Sequence, residues 1–291
     1  MEKDSENLAD LFNMSDLPDE AFQPYWENIV VDEEKKKKLL NYCTMIPNLK
    51  GPQLVRNSIY GLVLLNGPSG SGKTSLLKGC ANKAAEQTFQ KKGQKTKYLE
   101  VDISRLFSEF LGKTMKVIAE AFRTVRLAAC YHPVILQLDE IESLGMERSS
   151  LGVGDPTDVL RSVNVFLNEL DRLRPCKGTL ILATTNLETV IDCALLDRVD
   201  LKLHLDNPTK EAAYHILTKS AEELEQELNV RIPKSLLKEI VQELYPKKSD
   251  RTFSGRDISR LLVLSMTMNG HYRICAADVK KAIQILKEAL N

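Results

Sequence analysis

A chain of 291 residues can bury a substantial core and suits one large domain with a smaller companion. Its 40 Lys and Arg balance its 40 Asp and Glu, so no global field draws it onto nucleic acid or an anionic membrane. No apolar run approaches the ~18 residues of a membrane span, no C-x-x-C pair or histidine cluster has metal-ligand spacing, and the six scattered cysteines read as small apolar residues buried in a reducing compartment.

The acidic start MEKDSENLADLF has the wrong sign for a signal peptide, so a cytoplasmic location is expected. Residues 1–24 are read as a short arm, because DLPDEAFQP interrupts any regular element. In YWENIVVDEEKKKKLLNYCTMI a helix is expected from near Asp32, with Lys35 to Lys38 on its solvated face. From Tyr60 onward, branched apolar runs alternate with helical stretches. The runs are GLVLLNG, KYLEVDI, PVILQLDE, GTLILATTN and LKLHL, and MKVIAEAFRTVRLAA and VLRSVNVFLNELDRL are two of the helices between them. This alternation predicts an α/β fold, a three-layer domain with a largely parallel sheet over residues 25–206. Beyond Pro208 only helical patterns follow, so residues 207–291 are expected to form a small all-helical lid.

The stretch NGPSGSGKTS follows the first buried run and opens a helix. Gly67, four residues, Gly72, Lys73 and Thr74 complete the P-loop spacing. Glycines let backbone N–H groups face a β-phosphate, and the positive end of the helix dipole adds to the attraction. Gly67, Pro68, Ser69, Gly70, Ser71, Gly72, Lys73, Thr74 and Ser75 are therefore assigned to nucleotide, ATP or GTP, with Lys73 on the β- and γ-phosphates and Thr74 on Mg²⁺.

Asp139 and Glu140 close the run VILQLDE at the sheet edge where ligands gather in such folds, Asp139 as a Mg²⁺ ligand and Glu140 as general base. A solvated strand end is the plainer reading. Asn186, closing TLILATTN, either orients the attacking water or makes a turn. Arg198, between Asp197 and Asp200, either pairs locally or reaches a neighbouring subunit as an arginine finger. Arg256 follows the N-cap Ser254, where a cation is unfavourable unless it faces an anion, an ordinary salt bridge being the alternative.

These features occur in the order found in the AAA+ ATPases, which the chain resembles. The resemblance implies ATP hydrolysis with Mg²⁺, a homo-hexamer, and nucleotide bound at subunit boundaries. Three stretches are similar to the pachytene-checkpoint remodellers of that family: YWENIVVDEEKKKKLLNY, NGPSGSGKTSLLKGCANK, and LQLDEIESL with the later ATTNLETVIDCALLDRVDLK. That resemblance implies a HORMA-domain protein as substrate and Ile29 and Val30, within Trp26 to Val31, near the adenine. It also implies that the loop with Phe110, Leu111 and Gly112 grips peptide in a central pore, with Gly145 to Asp158 as a second pore loop. Taken from the residues alone, the first of these is core packing and the second a surface linker. About two dozen residues precede Trp26, so a compact form without an N-terminal adaptor domain is expected, similar to bacterial versions encoded beside cyclic-nucleotide antiviral defence systems. No nucleic acid and no membrane are expected as direct partners. A DNA-directed ATPase of clamp-loader or initiator type, a nonhydrolysing scaffold and a protease-linked unfoldase are the competing readings.

Overall fold

A computed structural model of the chain describes residues 11–49, 51–103, 114–144, 156–187, 191–246, 253–268, 270 and 274–288. Phe110, Leu111 and Gly112 lie outside the described residues, as does the second expected pore loop up to residue 155.

Strands β1 (Asn13–Leu17), β2 (Leu62–Asn66), β3 (Thr96–Asp102), β4 (Val134–Asp139), β5 (Thr179–Thr185) and β6 (Leu201–His204) form one sheet in the order β1-β3-β4-β5-β2-β6. All pairings are parallel except that of β1 with β3. Every residue of β2 and of β5 is buried, as the unbroken runs LVLLN and TLILATT require of strands covered on both faces. Parallel register brings the carboxyl ends of β2, β4 and β5 to one edge: Asn66 pairs with Thr185, and Leu138 with Ala183.

The helices before and between these strands are α1 (Gln23–Glu27), α2 (Glu33–Met45), α3 (Gly51–Arg56), α4 (Lys73–Lys92), α5 (Thr114–Tyr131), α6 (Pro156–Leu173) and α7 (Cys193–Leu196). Phe122 of α5 and Phe166 of α6 meet edge to face, with centroids 5.3 Å apart, inside a core that includes Leu64, Leu99, Leu136 and Ile181. Glu169, almost fully buried on α6, is held by Arg126 of α5 and by Arg172 at 2.6 Å, so α5 and α6 are locked by charge as well as by packing.

Three expectations need correction. Regular elements do run through DLPDEAFQP: β1 adds to the sheet edge and buries Leu17 completely, and a 3-10 turn at Glu20–Phe22 leads into α1. The bend expected from DLPDEAFQP ends that strand without preventing it. Lys36 is not on a solvated face. It is buried, with Nζ donating to the Trp26 carbonyl at 2.9 Å and standing 4.5 Å from the indole centroid, because the Trp26 segment offers a cation both a carbonyl and a π face. Of the cysteines only Cys43 and Cys80 are buried. Cys176 is half-buried, and Cys130, Cys193 and Cys275 are exposed because they fall on outward helix faces and helix ends.

The α1 segment lies against α4 at Gly79, where a Cβ would come within 2.6 Å of the Trp26 backbone nitrogen. Only glycine permits that approach.

The chain divides into two compact units. One contains residues 1–27, 33–67 and 73–204; the other contains 28–32, 68–72 and 205–291. The second is built on α8 (Lys210–Leu228), α9 (Lys234–Leu244), α10 (Gly255–Thr267) and α11 (Ala276–Glu288) around Leu217, Leu237, Tyr245, Phe253, Leu261 and Ile283. Side chains cap the starts of α8 and α10: Thr209 accepts from Ala212 N, and Ser254 and Asp257 form a reciprocal capping box on α10.

Candidate functional site

The loop from β2 to α4 depends on glycine. Gly70 and Gly72 have φ of +75° and +94°, and a Cβ on Gly70 would meet Ser254 Oγ at 2.6 Å and Ser254 Cβ at 2.9 Å. Arg256 N–H donates to the Gly70 carbonyl at 3.3 Å, so the loop tip and the start of α10 are in contact within one compact unit. Ile29 packs its Cδ1 where a Cβ on Gly72 would lie, 2.5 Å away. Val30 is half-buried, as are Thr74 and Ser75 at the start of α4, while Pro68 and Ser69 are exposed. Ser71 Oγ is buried without a partner among the described residues, a polar atom suited to a ligand in this loop.

Lys73 is 6% exposed, unusual for an ammonium. Its Nζ donates to Gly67 O and to Asn186 Oδ1, both at 2.8 Å. Asn186 stands just past β5 and is therefore carried to Lys73 by the β2–β5 register. Its backbone N–H and Nδ2 both donate to Glu142 Oε1, at 3.1 and 3.0 Å.

Asp139, at the end of β4, accepts from Thr184 Oγ1 at 2.9 Å and from Gln137 Nε2 at 3.3 Å, and Tyr98 OH donates to Gln137 Oε1 behind it. Burial, with Glu100 adding to it, lifts the Asp139 carboxyl from 3.8 to about 6 against the opposing Thr184 and Gln137 hydrogen bonds and the Lys78 charge. Glu140 is exposed, and its φ of +58° is a left-handed conformation that costs a non-glycine residue about 1–2 kcal/mol. Its N–H donates to Thr184 Oγ1 at 3.3 Å, so one hydroxyl serves both carboxylate residues. The Glu140 carboxyl is raised by burial and by the charges of Asp102 and Glu142, while Lys73 pulls it down.

The donor set fits a magnesium ion. Thr74 and Asp139 offer hard oxygens, and no cluster of three His, Cys, Asp or Glu capable of holding a metal occurs among the described residues. An ion bound chiefly by nucleotide phosphates and water needs only one or two protein oxygens.

Two arginines lie in different settings. Arg198 forks onto Asp171, Nε to Oδ1 at 2.9 Å and Nη2 to Oδ2 at 2.8 Å, and donates to the Ala194 carbonyl at 2.6 Å. In this chain the local pair is formed. Arg256 is exposed and makes no ion pair with a described residue, whereas its neighbour Asp257 holds Arg260 at 2.6 Å.

Sequence reasoning missed Glu142 and Thr184. Glu142 is the third carboxylate of DEIE, and its signal was there to be found: a charged residue inside an apolar stretch, three positions after Asp139. Thr184 gave no signal of its own, lying next to Thr185 at the end of TLILATTN.

Residues 63–207 match the family described as ATPase family associated with various cellular activities (AAA). The chain is 35% identical over 215 residues to the putative pachytene checkpoint protein 2 of Caenorhabditis elegans, covering 72% of this chain and 50% of that protein. It is also 35% identical over 206 residues to CD-NTase-associated protein 6 of Pseudomonas aeruginosa, covering 69% and 66%. Its fold is similar to that of a chain in the solved Escherichia coli MS115-1 HORMA:CdnC:Trip13 complex, with a TM-score of 0.76 at 21% identity over 97% of this chain and 96% of that one. The chain spans about half the length of the first curated relatives it matches. No helix among the described residues is long and apolar enough to cross a membrane. A nucleotide loop backed by Lys73, a carboxylate pair at the end of β4, an amide at the end of β5 and these likenesses lead to one conclusion: the chain belongs to the AAA ATPases, the ATP-hydrolysing family its residues 63–207 match.

Proposed function

We propose that the chain is an ATP-driven remodeller that, as a homo-hexamer, engages a HORMA-domain protein through a central pore, partly unfolds it and separates it from its partners. The observation that carries the ATPase part is the convergence of Lys73, Asn186, Asp139 and Glu140 at one sheet edge. The HORMA part is supported by similarity to pachytene checkpoint protein 2 and by the fold shared with a chain solved together with a HORMA protein. The proposal places the chain in cytoplasmic cyclic-nucleotide antiviral defence, in keeping with its similarity to CD-NTase-associated protein 6.

In this reading Lys73 leaves Asn186 for the β- and γ-phosphates, with N–H groups of the Gly67 to Ser75 loop around them. Thr74 and Asp139 hold Mg²⁺, which when bound neutralises phosphate charge. Glu140 takes the proton of the attacking water, and its raised carboxyl suits that task. Asn186 orients the water with the amide proton not given to Glu142. Arg256 meets the phosphates from the start of α10, Ile29 and Val30 border the adenine, and Arg198 leaves Asp171 to complete a neighbour's site. Phe110, Leu111 and Gly112 grip the substrate segment while hydrolysis drives the movement.

ATP turnover measured with a HORMA protein, with DNA and with neither tests this reading. The account expects stimulation by the HORMA protein alone. Stimulation by DNA would replace it with the DNA-directed reading.

A further inference from the structure

Glu142 is 5% exposed and sits behind the reacting groups. One of its oxygens, Oε1, receives both the backbone N–H and the Nδ2 of Asn186; the other is buried with no partner among the described residues. On its far side the Asn186 Oδ1 accepts from the Lys73 ammonium. An ammonium can only donate and the Glu142 Oε1 already accepts from Asn186 N–H and Nδ2, so the amide has one orientation compatible with both neighbours. Neither Lys73 nor Glu142 alone would fix both ends of that amide.

We propose that Glu142 is a positioning residue for hydrolysis, fixing the Asn186 amide by hydrogen-bond reach rather than by its charge. With Oδ1 held toward Lys73 and one Nδ2 proton on Glu142, the second Nδ2 proton has a fixed direction. That proton is the one available to the attacking water or the γ-phosphate. Without Glu142 the amide rotates freely once Lys73 has moved to nucleotide, and the donor is lost at the moment it is needed. Two bonds from separate parts of Asn186 to a single oxygen also fix the backbone at the end of β5, so the amide is held at its root and its tip.

The inference rests on the chain hydrolysing ATP, and the parent rate together with a Glu140→Gln control establishes that first. Two substitutions then separate reach from charge. Glu142→Gln keeps the reach and an acceptor oxygen, and should retain at least about a third of kcat. Glu142→Asp keeps the charge but is one methylene shorter, and should lower kcat about tenfold with KM changed less than about threefold, the range one positioned hydrogen bond supports. In an Asn186→Ala background, Glu142→Asp should cost less than a further twofold. The reverse order, with Asp active and Gln inactive, would show that charge is what matters and overturn the inference; so would two fully active variants, or losses that multiply with Asn186→Ala.

A second arm needs no turnover. In a Lys73→Ala background, which removes the facing ammonium, Asn186→Asp sets two carboxylates against each other and should lower the melting midpoint by about 5 °C. Adding Glu142→Gln, whose amide can donate to Asp, should recover at least half of that loss. No recovery would mean the two side chains are not coupled.

Discussion

Arg198 and Asp171 are joined by a two-pronged ion pair spanning 27 positions of sequence, with both contacts under 3 Å. The fork fixes the plane of a guanidinium that also lies 5.8 Å from the Tyr60 ring centroid. Its pKa is raised, first by the Asp171 hydrogen bond. If Arg198 serves as the proposed finger, this pair would hold it in one geometry until a neighbouring site takes it up.

If Arg198 acts between subunits, mixing Arg198→Ala chains with Glu140→Gln chains should restore hydrolysis that neither variant has alone. A mixed ring contains interfaces where an intact finger faces an intact base. Turnover of purified mixed hexamers is the measurement, and absence of any recovery would leave Arg198 with only its pairing to Asp171.

Lys73→Ala should abolish nucleotide binding, because a buried phosphate contact is lost. Glu140→Gln should bind ATP as the parent does while turnover falls by about 10²–10⁴, the usual contribution of a positioned base. Fluorescent-nucleotide titration and phosphate release on the same preparations check both.

Gly70→Ala introduces a Cβ within 2.6 Å of Ser254 Oγ at a backbone angle unfavourable to alanine. Nucleotide affinity should fall at least tenfold. The melting midpoint should move by only a few degrees, because the change lies at a loop tip. An unchanged affinity would mean that the loop can shift away from α10 without consequence.

Asp139 carries a pH signature. Its carboxyl titrates at about 6 in the fold and near 3.8 in the unfolded chain, so the folded state binds the proton more tightly. The resulting stabilisation is complete below 3.8 and is lost as pH rises through about 6, leaving the ionised form disfavoured at neutral pH by roughly 3 kcal/mol at the upper end. Asp139→Asn should therefore raise the melting midpoint of the nucleotide-free protein at pH 7.5, and the gain over the parent should shrink toward pH 4. Parallel curves for the two proteins across that range would contradict the burial argument. Turnover with Mg²⁺ should fall in the same variant.

The α/β class and strand run were legible because parallel strands buried on both faces leave continuous apolar runs, as LVLLN and TLILATT do. β1 was not, because NMSDL lies at the sheet edge and shows only one buried residue of five. Lys36 was misread for a related reason: composition marks a lysine as exposed, and only the folded α1 segment supplies its carbonyl and indole partners. At the candidate site, spacing pointed to Lys73, Asp139 and Glu140. The links through Thr184 and Glu142 were hidden because they depend on the register between strands far apart in sequence.

The central claim is tested most directly by mixing the purified protein with a HORMA-domain protein bound to a labelled partner and following release of the label. The account predicts release by the parent with ATP, none with Glu140→Gln or without nucleotide, and none with Phe110→Ala even though that variant still hydrolyses ATP. A complex that stays intact while the parent hydrolyses ATP, or that falls apart equally without ATP, would contradict it.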